Sequence, residues 1–203
     1  MLTPEDVERF EAALIADGVG LFPADTVYGL AADAESSAGV RRLYELKGRA
    51  QDRPAAVMFF DPERALAALE GLGLHTRDAV SRLLPGPVTA IVPNPRRLYP
   101  LACGPDPERL GIRLPGVAVE LEPLLALRRP ILQSSANPSG GPDPCRVQDV
   151  DPAIRAGVQA VLDGGELPGV PSTVVDLTAY EAERAYAVLR EGAISAAALA
   201  DLI

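Results

Sequence analysis

The chain has 203 residues, with 19 Lys plus Arg against 28 Asp plus Glu and a formal charge of −9 at pH 7. A single His and two Cys exclude a closed Cys/His zinc centre, and only one Lys, Lys47, stands among the basic residues. The negative balance argues against sequence-independent nucleic-acid binding, which runs on phosphate neutralisation, and 18 Gly with 20 Pro mark a turn-rich globular chain.

The first residues, MLTPED, are acidic where a signal peptide would be basic, so a cytoplasmic protein is expected. They read as a helix start over 3–17: Thr3 caps, Pro4 takes the first helical position and Asp6 completes a capping box. Val7, Phe10 and Leu14 then fall on one face. A strand is predicted over Gly18 to Phe22, followed by FPADTVYGL (Phe22 to Leu30), a polar turn before another core segment. The helix predicted over 36–47 buries Val40, Leu43 and Tyr44 and stops at Gly48. Lys47 falls in its last turn, with Arg49 and Arg53 in the loop beyond.

Further strands are predicted over Ala55 to Phe60, Val88 to Val92, Leu110 to Leu114, Ile131 to Ser134, Ala160 to Leu162, Thr173 to Leu177 and Ala185 to Leu189. Helices are predicted over 62–70, 76–84, 117–127 and 193–202. His75 sits at an exposed helix start, a poor setting for a catalytic triad. The stretch from Pro93 to Glu108 has little periodicity and reads as a mobile binding loop. No run approaches the roughly 18–20 apolar residues of a membrane span, so no membrane partner is expected. Strands alternating with helices, some joined only by turns, indicate an α/β or α+β fold on a mixed sheet, with residues 1–203 as a single domain.

Three features bear on chemistry. Lys47, Arg49 and Arg53 crowd positive charge after a helix; Gly48 and a C-terminal cation also suit the helix end itself. A sequence that otherwise uses Arg places its one Lys where a compact point charge suits a phosphate. The apolar run from Ile131 enters SSANPSGG (Ser134 to Gly141), a strand-end loop whose backbone N–H groups suit anions. No G-x-x-x-x-G-K-[ST] occurs, and Gly71-Leu-Gly73 lacks the third glycine of a dinucleotide fingerprint. A nucleotide must therefore be held by dispersed Arg, Lys, Ser and Asn.

Taken in order from Gly18 to Ser195, PADTVYGL, LKGR, LPGPVT, LGIRLP, SSANPSG, PSTVVD and LREGAI resemble the YrdC/TsaC family of L-threonylcarbamoyladenylate synthases. The resemblance implies a twisted mixed β-sheet with flanking helices around a large concave cavity. It implies a nucleotidyltransferase that joins L-threonine, bicarbonate or CO2, and ATP into threonylcarbamoyl-AMP and pyrophosphate, for threonylcarbamoyladenosine modification of tRNA. Carried over by position, Lys47, Arg49, Ser135 and Asn137 are the family's K-x-R and S-x-N pairs and the expected catalytic group. Thr26, Tyr28, Met58, Arg113, Ser135 and Ser172 fall at threonine positions. Lys47, Arg49, Arg53, Arg109, Asn137, Cys145 and Arg190 fall at ATP positions. Mg2+ is expected to come with the ATP phosphates, without dedicated metal ligands in the protein. The implied partners are ATP, L-threonine and bicarbonate, with tRNA or the threonylcarbamoyl transferase complex beyond them.

This sequence departs from the family's pattern. Met58 replaces a common histidine, Ala24 the usual Thr, Ala50 a common Pro, and Arg53, Arg109 and Cys145 differ in type from the archaeal residues. The chain resembles the short form, without the extra C-terminal domain. Gathering anions needs no histidine and no protein nucleophile. Two alternatives remain open at this point: an RNA-binding module using the same basic cavity, and a paralogue with altered amino-acid specificity.

Overall fold

The computed structural model describes residues 2–203. Helix α1 (Pro4–Ile15) starts as the sequence dictates: Thr3 accepts the Asp6 N–H at 3.2 Å, and the Asp6 carboxylate accepts the Thr3 N–H at 2.9 Å. Its buried stripe is Val7, Phe10 and Leu14. Strands β1 (Gly20–Pro23) and β2 (Tyr28–Asp33) follow, then α2 (Ser37–Lys47), β3 (Ala56–Met58), α3 (Pro62–Ala68), α4 (Leu74–Leu83) and β4 (Val88–Pro93). The second half holds α5 (Pro100–Cys103), β5 (Arg109–Arg113), a 3-10 segment (Val119–Ala126), β6 (Ile131–Ser135), α6 (Pro152–Gly157) and β7 (Ala160–Val161). It ends with β8 (Thr173–Asp176), α7 (Tyr180–Glu183), β9 (Ala187–Arg190) and α8 (Ala196–Ala200).

The nine strands among the described residues join one mixed sheet in the order β7-β1-β2-β6-β3-β5-β4-β8-β9. The pairs β1/β7, β3/β5 and β4/β8 run parallel and the other neighbours antiparallel. With its flanking helices this is the α/β architecture expected from the sequence. The core takes Leu21, Leu30, Leu43, Val57, Leu110 and Ile112 from sheet and helix alike. No helix among the described residues is long and apolar enough to cross a membrane.

The differences from the sequence reading have physical causes. Strand β2 was not among the predicted strands. All six of its residues are buried, so it shows no alternation, and YGLAAD is poor in β-branched side chains. The helix expected over 117–127 is a 3-10 segment; the Pro123 ring inside it would clash with the carbonyl four residues back in an α-helix. The unpredicted helices α5, α6 and α7 are too short to carry a periodic signal. The stretch after Pro93 is pinned rather than open. The buried Asn94 amide donates to the carbonyls of Leu98 (2.9 Å) and Pro107 (3.0 Å) and accepts from the Leu98 N–H (2.9 Å), and α5 fills the interval. His75 is exposed in the first turn of α4.

Candidate active site

Cross-strand register builds the floor of a cavity of about 570 Å³, a volume suited to a small molecule. Gln133 pairs with Ala56, Ala56 with Gly111, and Gly111 with Ile91, so these four share one face across β6, β3, β5 and β4. All four line the cavity, and the small side chains at Ala56 and Gly111 keep its floor low. Two residues along the strands, on the same face, stand Ser135, Arg113 and Arg109 on one side or the other of this row. At the far edge Arg190 pairs with Val174, and a bulge between Val174 and Val175 leaves Leu189 as an extra residue. The bulge lets consecutive residues, Leu189 and Arg190, both reach the cavity wall.

The four arginines on the wall are held in two different ways. Arg113, whose side chain is 3% exposed, pairs with Asp25, 4% exposed, and Arg109 pairs with Asp176. Burial pushes the Asp25 carboxyl up against the opposing pull of Arg113. Arg49 instead donates to Ser134 Oγ at 3.2 Å and the Pro54 carbonyl at 2.6 Å, with its guanidinium 5.6 Å from the Tyr44 ring centre. Arg190 donates to the Ser172 carbonyl at 2.8 Å and to Ser172 Oγ at 3.2 Å. Among the described residues Arg49 and Arg190 meet only neutral oxygens. Of the four on the wall they are the two whose charge remains for an incoming anion.

Hydroxyls complete the wall. Thr26 Oγ1 lies 3.4 Å from Arg113, and Ser172 Oγ lies 3.0 Å from Thr89 Oγ1. Ser135 Oγ donates to Asn137 Oδ1 at 2.7 Å. Lys47 stands behind this pair. It is buried, and its ammonium reaches the Ser135 carbonyl, the Asn137 carbonyl (2.7 Å) and Asn137 Oδ1 (2.9 Å). An ammonium has three donors, so Lys47 is fully engaged within the loop. Burial, aided by Arg49, lowers its pKa to about 8.

The structure therefore brings Thr26, Arg49, Arg109, Arg113, Ser135, Ser172 and Arg190 to one cavity, with Lys47 and Asn137 packed directly beneath Ser135. Besides Lys47 and Asn137, four residues expected at the site are not on its wall. Tyr28 is fully buried, its hydroxyl donating to the Gly165 carbonyl at 2.8 Å and accepting the Gly164 N–H at 3.0 Å. Met58 is core, flanked by Arg113 and Ile131 in neighbouring strands. Arg53 is exposed and contributes its carbonyl to the Tyr44 hydroxyl at 2.6 Å. Cys145 stands beside Asp149, which pushes its thiol up. Sequence reasoning missed Thr89, Gln133, Ser134 and Asp143, which also line the cavity. Thr89 closes the quoted motif LPGPVT and Ser134 opens SSANPSG, with Gln133 immediately before it. Among the described residues no group of three or more His, Cys, Asp or Glu is placed to hold a metal ion.

Comparison with known proteins agrees with this geometry. The family model Sua5_yciO_yrdC, described as "Telomere recombination", matches residues 12–192. A threonylcarbamoyl-AMP synthase of Pyrococcus abyssi is 32% identical over 174 residues, covering 85% of this chain, which spans about half (51%) of that relative's length. A threonylcarbamoyl-AMP synthase of Chromohalobacter salexigens is 31% identical over 90% of this chain and 98% of its own. The solved structure of P. abyssi Sua5 complexed with L-threonine superposes with a TM-score of 0.86 at 27% identity, over 100% of this chain and 58% of that one. With nearly its whole length matched, its sheet superposed and its motifs gathered at one cavity, this chain belongs to the Sua5/YciO/YrdC family.

Proposed function

We propose that this chain is a threonylcarbamoyl-AMP synthase acting on L-threonine, bicarbonate and ATP. The single observation that carries the reading is the pair of guanidiniums, Arg49 and Arg190, held by neutral oxygens on the wall of a small cavity in a chain of net charge −9. The threonine amine adds to CO2 and loses a proton, giving a carbamate. A carbamate oxygen then attacks the α-phosphorus, and the bond to the bridging oxygen breaks to release pyrophosphate. The second step brings an anionic carbamate against an anionic triphosphate, so the work is to gather anions and hold them in line.

In this reading Arg113, Thr26, Ser135 and Ser172 hold threonine, and Arg49, Arg109, Arg190 and Asn137 hold the nucleotide. The residues present do not fit a resident metal. Magnesium enters as part of the ATP substrate, on phosphate oxygens, and no step is assigned to protein-held metal. The product is a mixed anhydride, and a separate transferase passes its threonylcarbamoyl group to tRNA.

Pyrophosphate release is the test. It is expected only when threonine, bicarbonate, ATP and magnesium are all present, and release indifferent to threonine overturns the reading. Serine in place of threonine separates a strict synthase from a paralogue of altered specificity. Arg49→Ala removes charge-assisted hydrogen bonds of about 1.5–3 kcal/mol each, so kcat/KM for ATP is expected to fall by about a hundredfold.

A further inference from the structure

Asp25 lies in the turn between β1 and β2, behind the cavity wall rather than on it. Both of its oxygens are used. Oδ1 takes the Nη2 group of Arg113, and Oδ2 accepts the Gly116 N–H at 3.2 Å. Gly116 follows the end of β5, the strand that carries Arg113, so one carboxylate ties that strand end to the turn holding Thr26. The Arg113 Nη2 group also lies 3.4 Å from Thr26 Oγ1. Asp25 thereby sets the spacing of two residues placed at the threonine end of the site. Arg113 Nε is buried with no partner, and Nη1 makes no hydrogen bond among the described residues. An orphaned buried donor is rare and points to a missing acceptor.

We propose that Asp25 is a positioning residue that turns the guanidinium of Arg113, and with it Thr26, into the geometry that receives the amino-acid carboxylate. The proposal rests on the assignment of Arg113 to threonine given above. A paired guanidinium brings no net charge to the cavity, unlike Arg49 and Arg190. Its contribution is direction, which suits one carboxylate on a zwitterion better than a polyphosphate.

Steady-state pyrophosphate release tests this in Asp25→Asn, Asp25→Glu, Arg113→Lys and the double variant Asp25→Asn/Arg113→Lys, with thermal unfolding measured alongside. Asp25→Asn keeps the shape and removes the charge. It is expected to raise the threonine KM about tenfold while the ATP KM and kcat stay within about twofold, and Asp25→Glu is expected to recover part of the loss. In the Arg113→Lys background the same change is expected to add less than about twofold, because its effect passes through Arg113. The proposal is overturned if folded Asp25→Asn leaves the threonine KM unchanged while Arg113→Lys raises it, or if the two penalties multiply. Should Asp25→Asn fail to fold, Asp25→Glu stands in: a raised threonine KM that vanishes in the Arg113→Lys background supports the proposal, and an unchanged one overturns it. A threonine KM indifferent to Arg113→Lys instead overturns the parent assignment, and the proposal falls with it.

Discussion

Lys47 has three donors and meets three acceptors, two on Asn137 and one on Ser135. From sequence, a lone Lys beside Arg49 suggested a phosphate ligand. Its geometry instead makes it the scaffold of the loop that presents Ser135. A planar guanidinium cannot reproduce three bonds arranged around one nitrogen, so Lys47→Arg is expected to lower pyrophosphate release at least about tenfold. The lowered pKa adds a pH signature. Above about pH 8 the neutral amine keeps only two donors, one acceptor is abandoned, and wild-type activity is expected to decline. Stability moves the other way. Lys47 titrates near 8 when folded and near 10.5 when unfolded, so between these values the unfolded chain binds the extra proton, and folding gains as pH rises. The whole shift is worth roughly 3 kcal/mol. Urea unfolding of wild type against Lys47→Met, followed from pH 7.5 to 10, is expected to show wild type gaining on the variant.

At the scale of elements, the exit of β9 decides where Arg190 stands. Thr173 Oγ1 accepts the N–H groups of Gly192 and Ile194, both at 3.0 Å, and pulls the LREG turn against β8. The approach is so close that a Cβ on Gly192 would lie 2.2 Å from the Pro171 carbonyl oxygen and 2.7 Å from the Ser172 carbonyl carbon. Both are backbone atoms, with nowhere to move except by parting the strands. Gly192→Ala is expected to cost about 1–3 kcal/mol of stability. It is also expected to raise the ATP KM more than the threonine KM, because Arg190 loses its seat on Ser172. Thermal unfolding and the two KM values check this together. The glycine was legible as part of a motif, but its reason was not, since the crowding comes from Pro171 and Ser172, about twenty residues away. The same holds elsewhere. Thr3, Pro4 and Asp6 announced α1 because capping is local, and Gly48, with φ of +58°, ended α2 where the sequence said it would. Strand β2 stayed hidden because burial on both faces erases alternation, and Asp25 stayed hidden because its partners, Arg113 and Gly116, are supplied by a distant strand. Tyr28 and Met58 matched positions in a family pattern, yet in this chain both side chains are sealed within the core.

Over the whole molecule the opposition between net charge and site charge resolves by pairing. Exposed arginines are plentiful; Arg42, Arg53, Arg77, Arg155 and Arg184 make no ion pair among the described residues, but Arg9, Arg41, Arg64, Arg82, Arg96, Arg97, Arg128 and Arg146 each stand within 4.0 Å of a carboxylate oxygen. Their charge is locally balanced, and the surplus of acidic residues makes the surface as a whole repel a polyanion. Within the site, the guanidiniums of Arg49 and Arg190, without a carboxylate partner, face a cavity of about 570 Å³, a volume of small-molecule size that is too small for a folded nucleic acid. An RNA-binding module needs a surface with a local excess of positive charge, so that each neutralised phosphate releases a counterion, whereas here acidic residues outnumber basic ones by nine. A gel shift with tRNA at roughly 50 mM salt, where such binding is strongest, is therefore expected to show no retarded band, and tRNA is expected not to compete with ATP in pyrophosphate release. Salt-sensitive retention in the absence of ATP would reverse that expectation and make the cavity arginines part of an RNA surface. Under the proposed function, failure of tRNA to bind is the outcome expected of a chain whose substrates are small molecules and whose product is passed on for tRNA modification elsewhere.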